Sequence, residues 1–123
     1  MLVSFSGGDI TLSNVDELIS LIRRISAKGT DEIWISSDDA PYPALAVQVN
    51  GGSSCVNYFG NEDGDMYMSL GDGCKEVVFT AGSVEWIAPD DAVIPLRKAE
   101  ECAAAFCRDF KKPSCISWQK LCE

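Results

Sequence analysis

The chain has 123 residues, of which 46% are hydrophobic and 24% are charged, and its formal net charge is −9. This length and balance predict one globular domain over residues 1–123 and exclude a disordered tail. No run approaches the roughly 20 apolar residues of a membrane span, and the negative charge disfavours nucleic acid or an anionic membrane as a direct partner. Because no secretion signal opens the sequence, we expect a cytoplasmic protein.

The first predicted element is an amphipathic helix over residues 13–28. Ser13 and Asp16 are interpreted as a capping pair at its start, and Gly29 as the residue that stops it. Its apolar face consists of residues at helical spacing: Val15, Leu18, Ile19, Ile22 and Ile25.

From Asp31 to Ile87 the pattern changes to short β-branched and aromatic runs, which are typical of strands. We predict strands at 32–36, 44–49, 55–59, 66–70, 76–80 and 84–87. The turns between them carry Gly, Asn or Asp: Asn50-Gly51-Gly52, Glu62-Asp63-Gly64, Gly71-Asp72-Gly73 and Ala81-Gly82. Connections this short predict hairpins, and therefore an antiparallel meander.

A second helix is predicted to start at Pro95, which suits a first helical position, and to end at Pro113. Its apolar face consists of Leu96, Ala99, Ala103, Phe106, Cys107 and Phe110. The tail carries Ile116 and Trp118, so it is expected to add a last short strand or to cover the core. The predicted fold class is α+β, with an antiparallel meander sheet of about five to seven strands and an N-terminal and a C-terminal helix packed on one face.

The cysteines are expected to be free thiols in a reducing compartment, and Cys102 and Cys107 fall on the apolar helical face. The chain contains neither a CxxC motif nor any histidine, so we expect no metal and no cofactor. The missing histidine also removes the usual general base, and the glycine-rich turns match neither a P-loop nor a dinucleotide fingerprint. We therefore do not expect an enzyme. The carboxylates of Glu62, Asp63 and Asp65 leave a small carboxylate-based enzyme, or a metal- or ligand-binding domain, as the alternative.

The charge is unevenly distributed along the chain. Residues 31–96 contain twelve acidic residues and one basic residue, whereas the rest contains seven acidic and nine basic residues. Acidic loops also serve solubility, and tyrosines such as Tyr58 are equally compatible with half-buried strand positions. Carboxylates beside exposed aromatic rings nevertheless favour association with a basic protein surface. The candidate partner-binding residues are the acidic turns and their aromatic neighbours: Asp38, Asp39, Tyr42, Glu62, Asp63, Asp65, Tyr67 and Asp72.

The C-terminal third carries short motifs that together resemble a known family. Residues 94–99 read Ile-Pro-Leu-Arg-Lys-Ala, and residues 112–119 read Lys-Pro-Ser-Cys-Ile-Ser-Trp-Gln. This pattern resembles the end of immunity protein family 1 of bacterial polymorphic toxin systems, where a helix opened by Pro-Leu leads to a proline and a closing Trp-Gln. The Gly51-Gly52 turn, the Tyr58-Phe59-Gly60 segment and Val84-Glu85-Trp86-Ile87 agree with it.

The resemblance implies a non-enzymatic, cytoplasmic antidote of the kind found in contact-dependent inhibition. Such a protein binds the C-terminal toxin domain of a cognate effector, often a nuclease or a nucleic-acid deaminase, and is expected to act as one monomer in a heterodimer. Toxins that act on nucleic acid present basic grooves, which an acidic surface complements. The sequence does not separate this role from that of a regulator of a basic host protein.

Overall fold

The computed structural model describes residues 1–63, 65–71, 76–81 and 84–121. Within these ranges the chain forms two α-helices, α1 (Val15–Ser26) and α2 (Leu96–Asp109), and a short 3-10 turn at Asp90–Ala92. The strands are β1 (Leu2–Phe5), β2 (Gly8–Thr11), β3 (Thr30–Ser36), β4 (Ala44–Asn50), β5 (Ser53–Phe59), β6 (Met66–Leu70), β7 (Val78–Ala81), β8 (Val84–Ile87), β9 (Ile94–Pro95) and β10 (Ser117–Leu121).

The main sheet has the strand order β10-β6-β5-β4-β3-β1-β2, and each neighbouring pair is antiparallel. The two-residue strand β9 also pairs with β5. Strands β3 to β6 form the predicted meander, and β10 supplies the predicted last strand. The α+β fold class is therefore confirmed.

One face of the sheet carries the main core because strand side chains alternate between faces. Ile33, Val47 and Val56 are register neighbours on β3, β4 and β5, and all three are fully buried. Both helices pack over this face, with Leu18 of α1 and Phe106 of α2 in the same cluster. This arrangement confirms that the helices share one side of the sheet.

The start of α1 differs from the prediction by one residue. Asn14 has the extended backbone of a helix cap, and its side-chain oxygen accepts the Glu17 backbone N–H at 2.9 Å. Glu17 in turn accepts the Ser13 backbone N–H at 3.1 Å, so its carboxylate reaches back to the residue before the cap, in a variant of the capping box. The capping pair is therefore Asn14 and Glu17, and the prediction of Ser13 and Asp16 was wrong.

Removing this cap is expected to destabilise the protein measurably. Asn14→Ala leaves the Glu17 N–H without its acceptor, which costs about 1 kcal/mol of unfolding free energy. Ser13→Ala is the matched control, because the Ser13 hydroxyl makes no hydrogen bond to the described residues. Urea unfolding of both variants measures the difference, and equal midpoints would contradict the assignment.

The second helix also departs from the prediction at both ends. Pro95 caps α2 rather than forming its first turn, since it is still paired with Ser53 in β9. The Leu96 N–H then donates to the Gly52 carbonyl at 2.9 Å. The helix ends before Pro113, because Phe110 adopts a left-handed conformation with φ of 54° and closes the last turn.

Two hairpins lie where the sequence did not place them. Strands β1 and β2 form an unpredicted hairpin at one edge of the main sheet. The segments predicted at 76–80 and 84–87 do contain strands, but β7 and β8 form a separate two-stranded sheet that contacts β3 and β4. Phe79 anchors this hairpin in a second cluster with Cys55, on the face opposite the helices.

The turn at Asn50-Gly51-Gly52 is confirmed, and the φ of +58° at Gly51 is one that glycine adopts without strain. The other predicted turns include Gly64, Asp72, Gly73 and Gly82, which lie outside the described residues. None of the helices in the described ranges has the length and apolar character needed to cross a membrane.

The described thiols differ strongly in exposure. Cys55 and Cys102 are fully buried, whereas Cys115 is exposed. Burial raises the pKa of Cys55 to about 11 and raises that of Cys102 as well. Both groups therefore remain protonated at pH 8, and the thiolate is the reactive form.

Alkylation is therefore expected to be selective. Iodoacetamide at pH 8 should modify Cys115 and spare Cys55 and Cys102, as measured by peptide mass spectrometry. Raising the pH towards 11 increases the Cys55 thiolate fraction, and labelling in urea, which exposes every thiol, is the control. Rapid native labelling of Cys55 at pH 8 would contradict its burial.

Candidate functional site

Two acidic loops leave the main sheet at the same end. Ser36, Ala44, Phe59 and Met66 are successive register partners across β3, β4, β5 and β6. The loops 37–43 and 60–65 that follow these positions must therefore lie side by side. We call this pair of loops the acidic end. It contains six of the eight candidate residues: Asp38, Asp39, Tyr42, Glu62, Asp63 and Asp65.

Loop 37–43 is held by its own hydrogen bonds. The Ser37 hydroxyl accepts the backbone N–H groups of Asp39 and Ala40, each at 3.3 Å. Asp38 lies 3.3 Å from the terminal ammonium group of Met1. The exposed carboxylate of Asp39 makes no hydrogen bond or ion pair to the described residues. Tyr42 is 37% exposed, and it lines the same surface groove as Asp39.

Loop 60–65 is ordered by Asn61. Its side-chain oxygen accepts the backbone N–H of Asp63 at 2.8 Å and that of Asp65 at 3.3 Å. Asp65 is half-buried and lies against Gly60, where a Cβ would have no room. Glu62 and Asp63 remain exposed. The loop therefore presents two carboxylates to solvent and uses a third in its own packing.

The structure separates Tyr67 from this surface. Tyr67 packs against the helix-side core, with its ring centre 6.3 Å from that of Tyr58. Lys112 places its ammonium group 3.7 Å from the centre of the Tyr67 ring, and Lys120 lies 6.0 Å away. A cation–π contact within the chain thus occupies this tyrosine. The remaining candidate, Asp72, lies outside the described residues.

Burial raises the pKa of Tyr58, and the neighbouring charge of Asp65 raises it further. Tyr58 therefore stays neutral at physiological pH and serves the core. The described part of the chain holds no group of three His, Cys, Asp or Glu residues arranged to bind a metal ion.

An open groove beside loop 37–43 was not predicted from the sequence. It lies against β1 and β3, has a volume of about 460 Å³, and includes Leu2, Ser4 and Trp34 together with Asp38 and Asp39 in its lining. The sequence nevertheless contains a pattern that indicates this exposed ring. Trp34 alternates with the buried Ile33 and Ile35 of β3, so it must face away from the helices.

A second groove continues from the first along the same face. It has a volume of about 270 Å³ and shares Ser4 and Trp34 with its neighbour. Glu32 and Thr80 stand at its other side. On the sheet face opposite the helices, the two grooves together therefore extend from loop 37–43 to the β7–β8 hairpin, and Trp34 lies between these two ends.

These features define a class of protein: a small α+β domain that exposes an acid-rimmed groove and two acidic loops at one end of its sheet. The family model described as Immunity protein Imm1 matches residues 6–120. The chain belongs to this immunity protein family, which confirms the resemblance seen in its motifs. Membership suggests a toxin-neutralising role in a family that is generally non-enzymatic. No curated protein matches the chain.

Proposed function

We propose that this protein neutralises the C-terminal toxin domain of a cognate bacterial effector by docking its acidic end on a basic surface of that domain. Family membership supports the immunity role. The acidic end is chosen as the docking surface because the strand register brings loops 37–43 and 60–65 together at one end of the sheet. Neither loop contains a lysine or an arginine.

The electrostatics of this end suit a toxin that acts on nucleic acid. Asp38, Asp39, Glu62 and Asp63 are exposed. A nuclease or nucleic-acid deaminase must attract phosphates, so its substrate groove is basic. The acidic end can occupy such a groove in place of the substrate, and its charge steers the two proteins together. The complex is a heterodimer with one copy of this chain, formed in the cytoplasm where the nucleic acid lies.

The experiment is co-purification of the chain with the product of the gene immediately upstream, followed by calorimetry with that protein's C-terminal domain. Titrations at about 0.1 M and about 1 M salt compare Debye lengths of roughly 10 Å and 3 Å. We expect tight binding that weakens at the higher salt concentration, together with loss of the toxin's activity on nucleic acid. Absence of binding at both concentrations would contradict the proposal and favour the carboxylate-based enzyme or ligand-binding alternative.

A further inference from the structure

The groove beside Trp34 exists because small residues surround the indole. Ser4 is the register partner of Trp34 on β1, and its short side chain leaves space on that side. On β4, the other neighbour of β3, Ala44 and Ala46 have small side chains. The Trp34 ring can therefore extend over them and stack on Phe59 of β5. The two ring centres are 5.0 Å apart at an interplanar angle of 22°. Trp34 is thus fixed on one side by Phe59 and borders open space on the other.

The charged side chains that line this space are all acidic. Residues lining the two grooves include Asp31, Glu32, Asp38 and Asp39, and none of the lining residues is a lysine or an arginine. Asp31 accepts the Ser6 hydroxyl at 2.6 Å, and Glu32 accepts the side-chain amide of Gln48 at 3.0 Å. Asp38 is paired with the N-terminal ammonium group. Asp39 is therefore the carboxylate at the rim that has no partner among the described residues.

We propose that this groove is the seat of an arginine side chain that projects from the toxin domain. The proposal rests on the function proposed above and names the contact that anchors it. An arginine combines an apolar stem with a flat, weakly hydrated guanidinium that stacks on aromatic rings and pairs with carboxylates. Trp34 and Tyr42 offer the rings, Leu2 contacts the stem, and Asp39 offers the carboxylate. A lysine ammonium lacks the planar surface that the indole favours.

A small probe tests the chemistry of the groove alone. N-acetyl-arginine amide is titrated into the ¹⁵N-labelled protein, and the indole N–H resonance of Trp34 is followed after assignment with Trp34→Phe. We expect a saturable shift at millimolar concentration. N-acetyl-citrulline amide has nearly the same shape but no charge, so it should produce little shift. Equal shifts from the two amides would overturn the choice of a guanidinium.

Filling the groove with a larger side chain tests whether the toxin domain binds there. Ser4→Leu places an apolar side chain beside Trp34 without altering any charge. Ser117→Leu is the matched control, because Ser117 is an exposed strand residue on β10 at the other edge of the sheet. We expect Ser4→Leu to weaken toxin binding by about 10-fold or more, mainly through faster dissociation, and Ser117→Leu to leave it unchanged.

A second pair of variants keeps the test valid if Ser4→Leu does not fold. Asp39→Asn removes the rim carboxylate and retains its shape, whereas Asp63→Asn removes the same charge from the neighbouring loop outside the groove. Asp39→Asn should speed dissociation clearly more than Asp63→Asn does. Wild-type dissociation from both Ser4→Leu and Asp39→Asn would overturn the proposal.

The arginine groove and the immunity role can be disproved separately, by different experimental results. Salt-dependent toxin binding that tolerates Ser4→Leu and Asp39→Asn would overturn the arginine groove and leave the immunity role standing. Occupation of the groove by N-acetyl-arginine amide without any toxin binding would overturn the immunity role and leave the groove as a guanidinium site.

Discussion

Replacing Asp39 and Asp63 together with lysine is expected to slow association with the toxin domain by about 10-fold or more at low salt. Both carboxylates are exposed, and they belong to the two loops that form the acidic end. Reversing them removes attraction to a basic surface and adds repulsion, which acts on diffusional encounter. The slope of the rate against salt concentration should also become shallower, because less charge remains to be screened.

Within the described ranges, the side chains of these two residues make no hydrogen bond or ion pair. Asp38 is paired with the Met1 ammonium group, and Asp65 packs against Gly60, so reversing either one would disturb the loops themselves. Among the loop hydrogen bonds of the described residues, Asp39 and Asp63 contribute their backbone N–H groups and not their carboxylates. A slower association rate in the double variant therefore reports on the surface charge.

The control is Glu85→Lys combined with Glu101→Lys, which changes the net charge equally. Glu85 lies on β8 and Glu101 in the first half of α2, and both are exposed away from the acidic end. Stopped-flow association at several salt concentrations compares the two double variants. Equal slowing of both would show that net charge matters and that the acidic end does not, whereas no slowing in Asp39→Lys with Asp63→Lys would remove this surface from the interface.

Local patterns were enough to predict most of the architecture. The helical spacing of Leu18, Ile22 and Ile25 located α1, and these residues are buried as that spacing requires. Alternation and short turns located β3 to β6, because a hairpin sheet is built from contacts close in sequence. The β1–β2 hairpin was missed because its strands are short and its second strand, which holds Gly8 and Asp9, has no buried residue.

Long-range packing determined what the sequence did not reveal. The local sequence of β7 does not indicate that Phe79 packs on the face opposite the helices. The prediction that placed the β7–β8 hairpin in the meander was therefore wrong. The grouping of loops 37–43 and 60–65 likewise depends on strand register, which the sequence fixes only through the buried pairs between them. Tyr67 is the clearest example of a position that local sequence does not determine. It is close in sequence to Asp65, yet it packs on the helix side of the sheet under Lys112.

Phe106→Ala is expected to lower the unfolding free energy by about 3–5 kcal/mol. Phe106 is fully buried in α2, and its ring meets Tyr58 at 6.3 Å and Phe110 at 5.3 Å between centres, both edge to face. Removing the ring leaves a cavity between α2 and β5 and deletes both aromatic contacts. Since small domains are stable by only about 5–15 kcal/mol, the variant should be close to unfolding at 37 °C.

Urea unfolding measures this loss, with Arg108→Ala as the control on the exposed side of the same helix. The control should stay within about 0.5 kcal/mol of the wild type, because its side chain leaves no cavity. A loss below about 1 kcal/mol for Phe106→Ala would contradict the packing of α2 on β5. The result bears on function as well, because Tyr58 lies on β5 just before loop 60–65, so the core beneath α2 supports the strand that carries half of the acidic end.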